Sequence, residues 1–163
     1  MIETIIDIPT ALTELVSKLN SNDITQDIFA NICKTGNKYG GLIPQLIEQQ
    51  LLKILSNKYP QLDLIHPADD CHLGDFYSDV INEGIELKVC QGRGKMDQTV
   101  WENSTTQEHS KNFLFVRISY KDNKLILNYA YYGYMSYSNW RIRSDNGMCV
   151  GLRTVRKCCK KIM

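Results

Sequence analysis

From Ser78 to Val89 the chain reads Ser-Asp-Val-Ile-Asn-Glu-Gly-Ile-Glu-Leu-Lys-Val, a turn cluster at Asn82, Glu83 and Gly84 set between two runs of β-branched and aromatic residues. This pattern predicts a β-hairpin, because asparagine and glycine accept turn backbone while the flanking residues suit a pleated strand. Strand alternation then assigns the faces: Glu86, Lys88 and Cys90 point one way, Ile85, Leu87 and Val89 the other. With Asn82 and Glu83 at the turn, Asp79 stands directly across from Glu86, and Tyr77 and Asp75 continue along the same face. The hairpin therefore has one side that must cover a core and another that gathers two carboxylates and an ammonium.

Carboxylates facing each other destabilise a sheet, so a face that tolerates them is read as a cation site. Mg2+ suits it, being a hard ion that takes oxygen ligands and keeps several waters. The expected ligands are Asp79 or Asp75, Glu86 and the backbone carbonyl of Leu87. Lys88 is placed to orient a water or to stabilise developing negative charge. A second segment, Asn37 to Leu55, has apolar residues at Leu42, Leu46, Ile47, Leu51, Ile54 and Leu55 at helical spacing, with Pro44 suited to a first turn. Glu48 abuts that apolar arc and is a candidate third acid. Taken singly, each segment also reads as a charged surface, a Glu-Lys pair on a hairpin and a solvated helix glutamate.

In order along the chain these residues resemble the PD-(D/E)XK nuclease superfamily, with local patterns similar to its MutH-like mismatch-repair group and its PvuII-like restriction endonucleases. The MutH-like pattern is a glycine followed by a helix glutamate, matched by Gly41 and Glu48, then D-x-x-x-x-G-[VI]-E-L-K, matched by Asp79, Gly84, Ile85, Glu86, Leu87 and Lys88. Trp101-Glu102-Asn103-Ser104 resembles the family's W-E-x-S stretch. The family's further lysine would fall at His109 or Lys111. In the PvuII-like pattern Asp75, not Asp79, would be the first metal-binding acid. The resemblance implies an α/β fold, an α-β-α sandwich with a central mixed sheet flanked by helices. It also implies Mg2+-dependent hydrolysis of phosphodiester bonds in double-stranded DNA, with Asp79, Glu86, Lys88, Glu48 and Asp75 as catalytic candidates.

The net charge of +1 hides an uneven distribution. Glu3, Asp7, Glu14, Asp23 and Asp27 lie early, whereas Arg141, Arg143, Arg153, Arg156, Lys157, Lys160 and Lys161 crowd the last stretch against Asp145. A basic flank beside an acidic site suits DNA, since lysine and arginine neutralise phosphates; a solvated tail would show the same run. Gln91-Gly92-Arg93-Gly94-Lys95 follows the hairpin directly, and its glycines and cations are candidates for a phosphate contact. Two further segments could read bases: Gln98 to His109, with Asn103, Ser104 and His109 and then Lys111 just beyond, and the tyrosine-rich run Tyr129 to Tyr137 with Arg141 and Arg143.

One domain over residues 1–163 accommodates all of this: an N-terminal helical region (1–36), a catalytic core (37–132) and a basic C-terminal region (133–163). Ile5, Ile8, Leu12, Leu15 and Val16 form an apolar side on the first helix that could serve a dimer interface or cap the domain. No apolar run is long enough to span a membrane and the first residues carry acids before any basic stretch, so the expected location is the cytoplasm. The six cysteines, Cys33, Cys71, Cys90, Cys149, Cys158 and Cys159, show no C-x-x-C pair and are expected as free thiols. The expectation is a homodimeric type II restriction endonuclease with a cognate DNA methyltransferase. A mismatch-repair-type nicking enzyme and a non-catalytic DNA-binding module are the alternatives.

Overall fold

Helix α1 (Ile8–Asn20) starts where Asp7 caps it, its carboxylate accepting from the Thr10 amide at 3.1 Å and the Thr10 hydroxyl at 2.6 Å. Those hydrogen bonds hold the Asp7 carboxyl below the usual carboxylate range. Ile8, Ala11, Leu12, Leu15 and Leu19 form its buried stripe. Helix α2 (Leu42–Lys58) buries Ile43, Ile47, Leu51, Ile54 and Leu55, with Pro44 in its first turn. The structure, a computed structural model, describes residues 5–21, 42–67, 74–90, 99–102, 111–142 and 148–163. The part of the anticipated N-terminal helical region from 22 to 36 and the Gly41 position lie outside them.

The strands are β1 (Leu64–Ile65), β2 (Phe76–Ser78), β3 (Glu83–Cys90), β4 (Thr99–Glu102), β5 (Lys111–Lys121), β6 (Lys124–Met135), β7 (Arg141–Ile142), β8 (Met148–Gly151) and β9 (Lys160–Lys161). A third helix, α3 (Leu152–Cys158), separates the last two. Six strands form a mixed sheet in the order β1-β2-β3-β5-β6-β9, with β3 and β5 parallel and the other neighbours antiparallel. Strands β4, β8 and β7 make a separate three-stranded sheet. The β5–β6 hairpin turns on Asp122 and Asn123, both at positive φ, as a two-residue loop of this hand requires.

The class is α/β with a central mixed sheet, as expected from the sequence. On one face α1 and α2 cover Phe76, Ile85, Leu87, Leu114, Val116 and Ile118. The apolar side of α1 is thus used inside the fold, packed with α2 and the sheet. Asn20 fastens α1 to β6 by bonding both backbone groups of Leu125 at 2.9 Å. On the other face Phe113, Phe115, Tyr131 and Met135 pack with Trp140, Val150, Leu152, Val155 and Cys159. That layer is a small sheet plus one short helix. Among the described residues Cys90, Cys158 and Cys159 form no disulfide, and no helix is long and apolar enough to cross a membrane.

Candidate active site at the β2–β3 hairpin

The hairpin forms, but its turn sits two residues earlier than the sequence suggests. Ser78 pairs with Glu83, Tyr77 with Gly84 and Phe76 with Ile85, so the loop is Asp79-Val80-Ile81-Asn82. Asn82 takes φ 51° and its side-chain carbonyl accepts from the Tyr77 hydroxyl at 2.6 Å, which closes the loop. A shift of two at the turn moves the cross-strand partner by four. Asp79 is therefore an exposed loop residue and does not face Glu86; Asp75 does, one step beyond the paired Phe76 and Ile85.

Backbone pairing between β2 and β3 ends at Phe76, and Asp75 takes over from it. Its Oδ2 accepts the Leu87 amide at 2.6 Å, so a carboxylate fills the place of a strand carbonyl. The amide and carbonyl of one strand residue point to the same edge, which directs the Leu87 carbonyl toward this edge as well. Gly74 makes the approach feasible. It has φ 93°, and a Cβ there would lie 2.8 Å from the Ile85 carbonyl oxygen.

Glu86 is 6% exposed, one of two buried polar or charged residues among those described. Lys88 donates from Nζ to Glu86 Oε1, and its side chain is 24% exposed against 8% for Glu86. Burial, with the Glu86 carboxylate next in importance, pushes the Asp75 carboxyl up from 3.8 to about 6. The Lys88 ammonium and the Leu87 amide pull the other way, and Glu48 adds a small push upward. Glu48 on α2 is thus within electrostatic reach of Asp75. Its Oε1 is 2.5 Å from His66 Nε2, while His66 Nδ1 lies 3.0 Å from the Pro67 carbonyl. His66 and Gly74 were not anticipated. Gly74 directly precedes an acid, which is a readable signal; His66 is a loop residue with none.

The other candidates fall differently. Lys111 opens β5 opposite Met135, and Arg141 is exposed at the start of β7. Trp101 and Glu102 pair with Cys149 and Met148 in the small sheet. Arg93, Lys95, Asn103, Ser104, His109 and Arg143 lie outside the described residues. The tyrosines divide: Tyr131 and Tyr132 are buried, Tyr129 stacks on Phe115 at 6.3 Å, and Tyr134 is 58% exposed.

Among the described residues no three His, Cys, Asp or Glu side chains are close enough to enclose a metal ion unaided. Asp75, Glu86 and the Leu87 carbonyl nevertheless fit Mg2+, which binds through one or two carboxylates and completes its shell with water and substrate phosphate. A carboxylate pair, one buried and one half-buried, with one acid forced upward is the electrostatic situation that a divalent cation relieves. No protein-family model matches this chain, and no curated protein does.

Proposed function

We propose that the protein is a Mg2+-dependent endonuclease hydrolysing phosphodiester bonds of double-stranded DNA, of the type II restriction kind and related to the PD-(D/E)XK superfamily. The observation that carries this is the meeting of Asp75 and Glu86 across the hairpin, with Lys88 next on the same face and paired to Glu86. A half-buried carboxyl with its pKa displaced beside a buried carboxylate marks a functional site more than a stabilising one.

Asp75 and Glu86 would hold the cation, with the Leu87 carbonyl as a further oxygen ligand. When bound, Mg2+ would supply Lewis-acid polarisation of a phosphoryl oxygen and a water of lowered pKa. The Leu87 amide fixes Asp75 by Oδ2, which leaves Oδ1 to meet the ion. Lys88 stabilises the negative charge that gathers on phosphorus. Glu48, held by His66, adds a third carboxylate at the rim.

With Asp75 as the first acid, the reading follows the PvuII-like pattern rather than the MutH-like spacing, and with it double-strand cutting rather than nicking. A palindromic target cut on both strands calls for a two-fold homodimer, and its host genome for a cognate DNA methyltransferase. Incubation with phage DNA and Mg2+ tests the reading. Discrete fragments are expected; nicked circles would favour the repair-type alternative, and intact DNA a binding module.

A further inference from the structure

The C-terminal cations are carried by folded structure. Leu152, Val155 and Cys159 are buried against the sheet, while Arg153, Arg156, Lys157, Lys160 and Lys161 are exposed. Strand β9 pairs with β6, and Gly133 on β6 lies so close beneath the α3–β9 junction that a Cβ there would stand 2.9 Å from the Cys158 carbonyl oxygen. Residues 148–163 include these five cations and no aspartate or glutamate.

Register places this platform, Lys160 apart, on the same face as the candidate active site. Lys88 pairs with Phe115, Phe115 with Tyr131, and Tyr131 with Lys161, and directly paired residues share a face. Lys161 is thus three strand spacings from Lys88, about 14 Å. In the neighbouring row Glu86 pairs with Phe113 and Phe113 with Gly133, beneath the end of α3. Fourteen ångströms corresponds to about four nucleotides along one strand of a duplex.

Local stability accounts for some of the charges and leaves Arg153 unexplained. Edge-strand lysines protect against unwanted pairing, which explains Lys160 and Lys161, and a helix C-terminus favours Arg156 and Lys157. Arg153 is different: it stands in the first turn of α3, where a cation opposes the helix dipole, and that turn holds no acid.

We infer that α3 and β9 form a phosphate-binding platform that seats the backbone of duplex DNA several nucleotides from the bond held at Asp75, Glu86 and Lys88. This rests on the endonuclease reading for its choice of partner, and its rigid anchoring distinguishes it from a basic tail. The platform fixes how the duplex lies across the sheet and carries no sequence information.

The test is binding of a fluorescent 30-base-pair duplex to the full chain in EDTA, over a range of salt. Arg153→Gln, Arg156→Gln, Lys157→Gln and Lys161→Gln are combined in one variant. Lys18→Gln, Lys53→Gln, Lys121→Gln and Lys124→Gln, all at exposed sites, make a control of equal charge. The platform variant should bind at least about tenfold more weakly to any duplex sequence, and its log-log salt slope should fall by about 0.9 per lost contact, about 2 to 4 in all. Equal losses in the control, an unchanged slope, or lost binding of single-stranded RNA alone would overturn the inference. Cleavage assayed separately in Mg2+ distinguishes the two proposals: platform-dependent binding without cleavage sinks only the nuclease, and cleavage with an unaltered slope sinks only the platform.

Discussion

A carboxyl raised to about 6 by burial and a neighbouring acid is a liability that the folded chain carries in the absence of metal. The folded state holds the Asp75 proton to higher pH than the unfolded chain, so its contribution to stability is fully present below about pH 4, falls as pH rises toward 6, and stays unfavourable above. Thermal melts in EDTA should therefore show wild type losing stability relative to Asp75→Asn across that window. At pH 7 the variant, which cannot ionise, should melt higher than wild type. A lower melting temperature for Asp75→Asn at pH 7 without metal would show that the carboxylate is structurally required. Asp79 is exposed in a loop, and Asp79→Asn should leave the melt unchanged within about 0.5 kcal/mol. His66 belongs to the same scale: His66→Ala frees Glu48 from its 2.5 Å partner, and should lower cleavage less than loss of Glu86 does.

The β2–β3 hairpin is the element that converts sequence into site, and Gly74 is its most sensitive backbone position. Gly74→Ala combines positive φ with a 2.8 Å approach to the Ile85 carbonyl, so the entry to β2 must move and take Asp75 with it. A loss of about 1–3 kcal/mol in stability is expected, together with cleavage reduced as severely as in Asp75→Asn. Full cleavage by Gly74→Ala would show that Asp75 needs no such support. The hairpin also shows where the sequence was legible. Alternation identified Glu86 and Lys88 as one face and Ile85 and Leu87 as the other, because period-two burial tolerates no slip of one residue. It could not place the turn, since Glu83 and Gly84 serve a strand as well as a loop, and a slip of two preserves every face while exchanging Asp79 for Asp75. Likewise α3 was indistinct within a basic run. Its signal was the spacing of Leu152, Val155 and Cys159, three apolar residues on one side of five cations.

At the scale of the molecule, the sheet separates two jobs. Helices α1 and α2 bury one face and form most of the core, while the other face brings together the acidic hairpin and the cationic α3–β9 platform. A ligand that binds only the folded site stabilises it by mass action, about 2.7 kcal/mol at a hundredfold excess over its Kd. Mg2+ should thus raise the melting temperature of wild type and leave that of Glu86→Ala unchanged; an equal rise in both would place the cation elsewhere. The most direct measurement compares cleavage of phage DNA in Mg2+ by wild type, Asp75→Asn, Asp79→Asn, Glu86→Ala and Lys88→Ala. Loss of even an outer-shell partner costs metal sites about 10–100-fold, so Asp75→Asn, Glu86→Ala and Lys88→Ala should each fall by at least about a hundredfold, with Asp79→Asn near wild type. Full activity in Glu86→Ala or Lys88→Ala, or a loss at Asp79 equal to that at Asp75, would contradict the account.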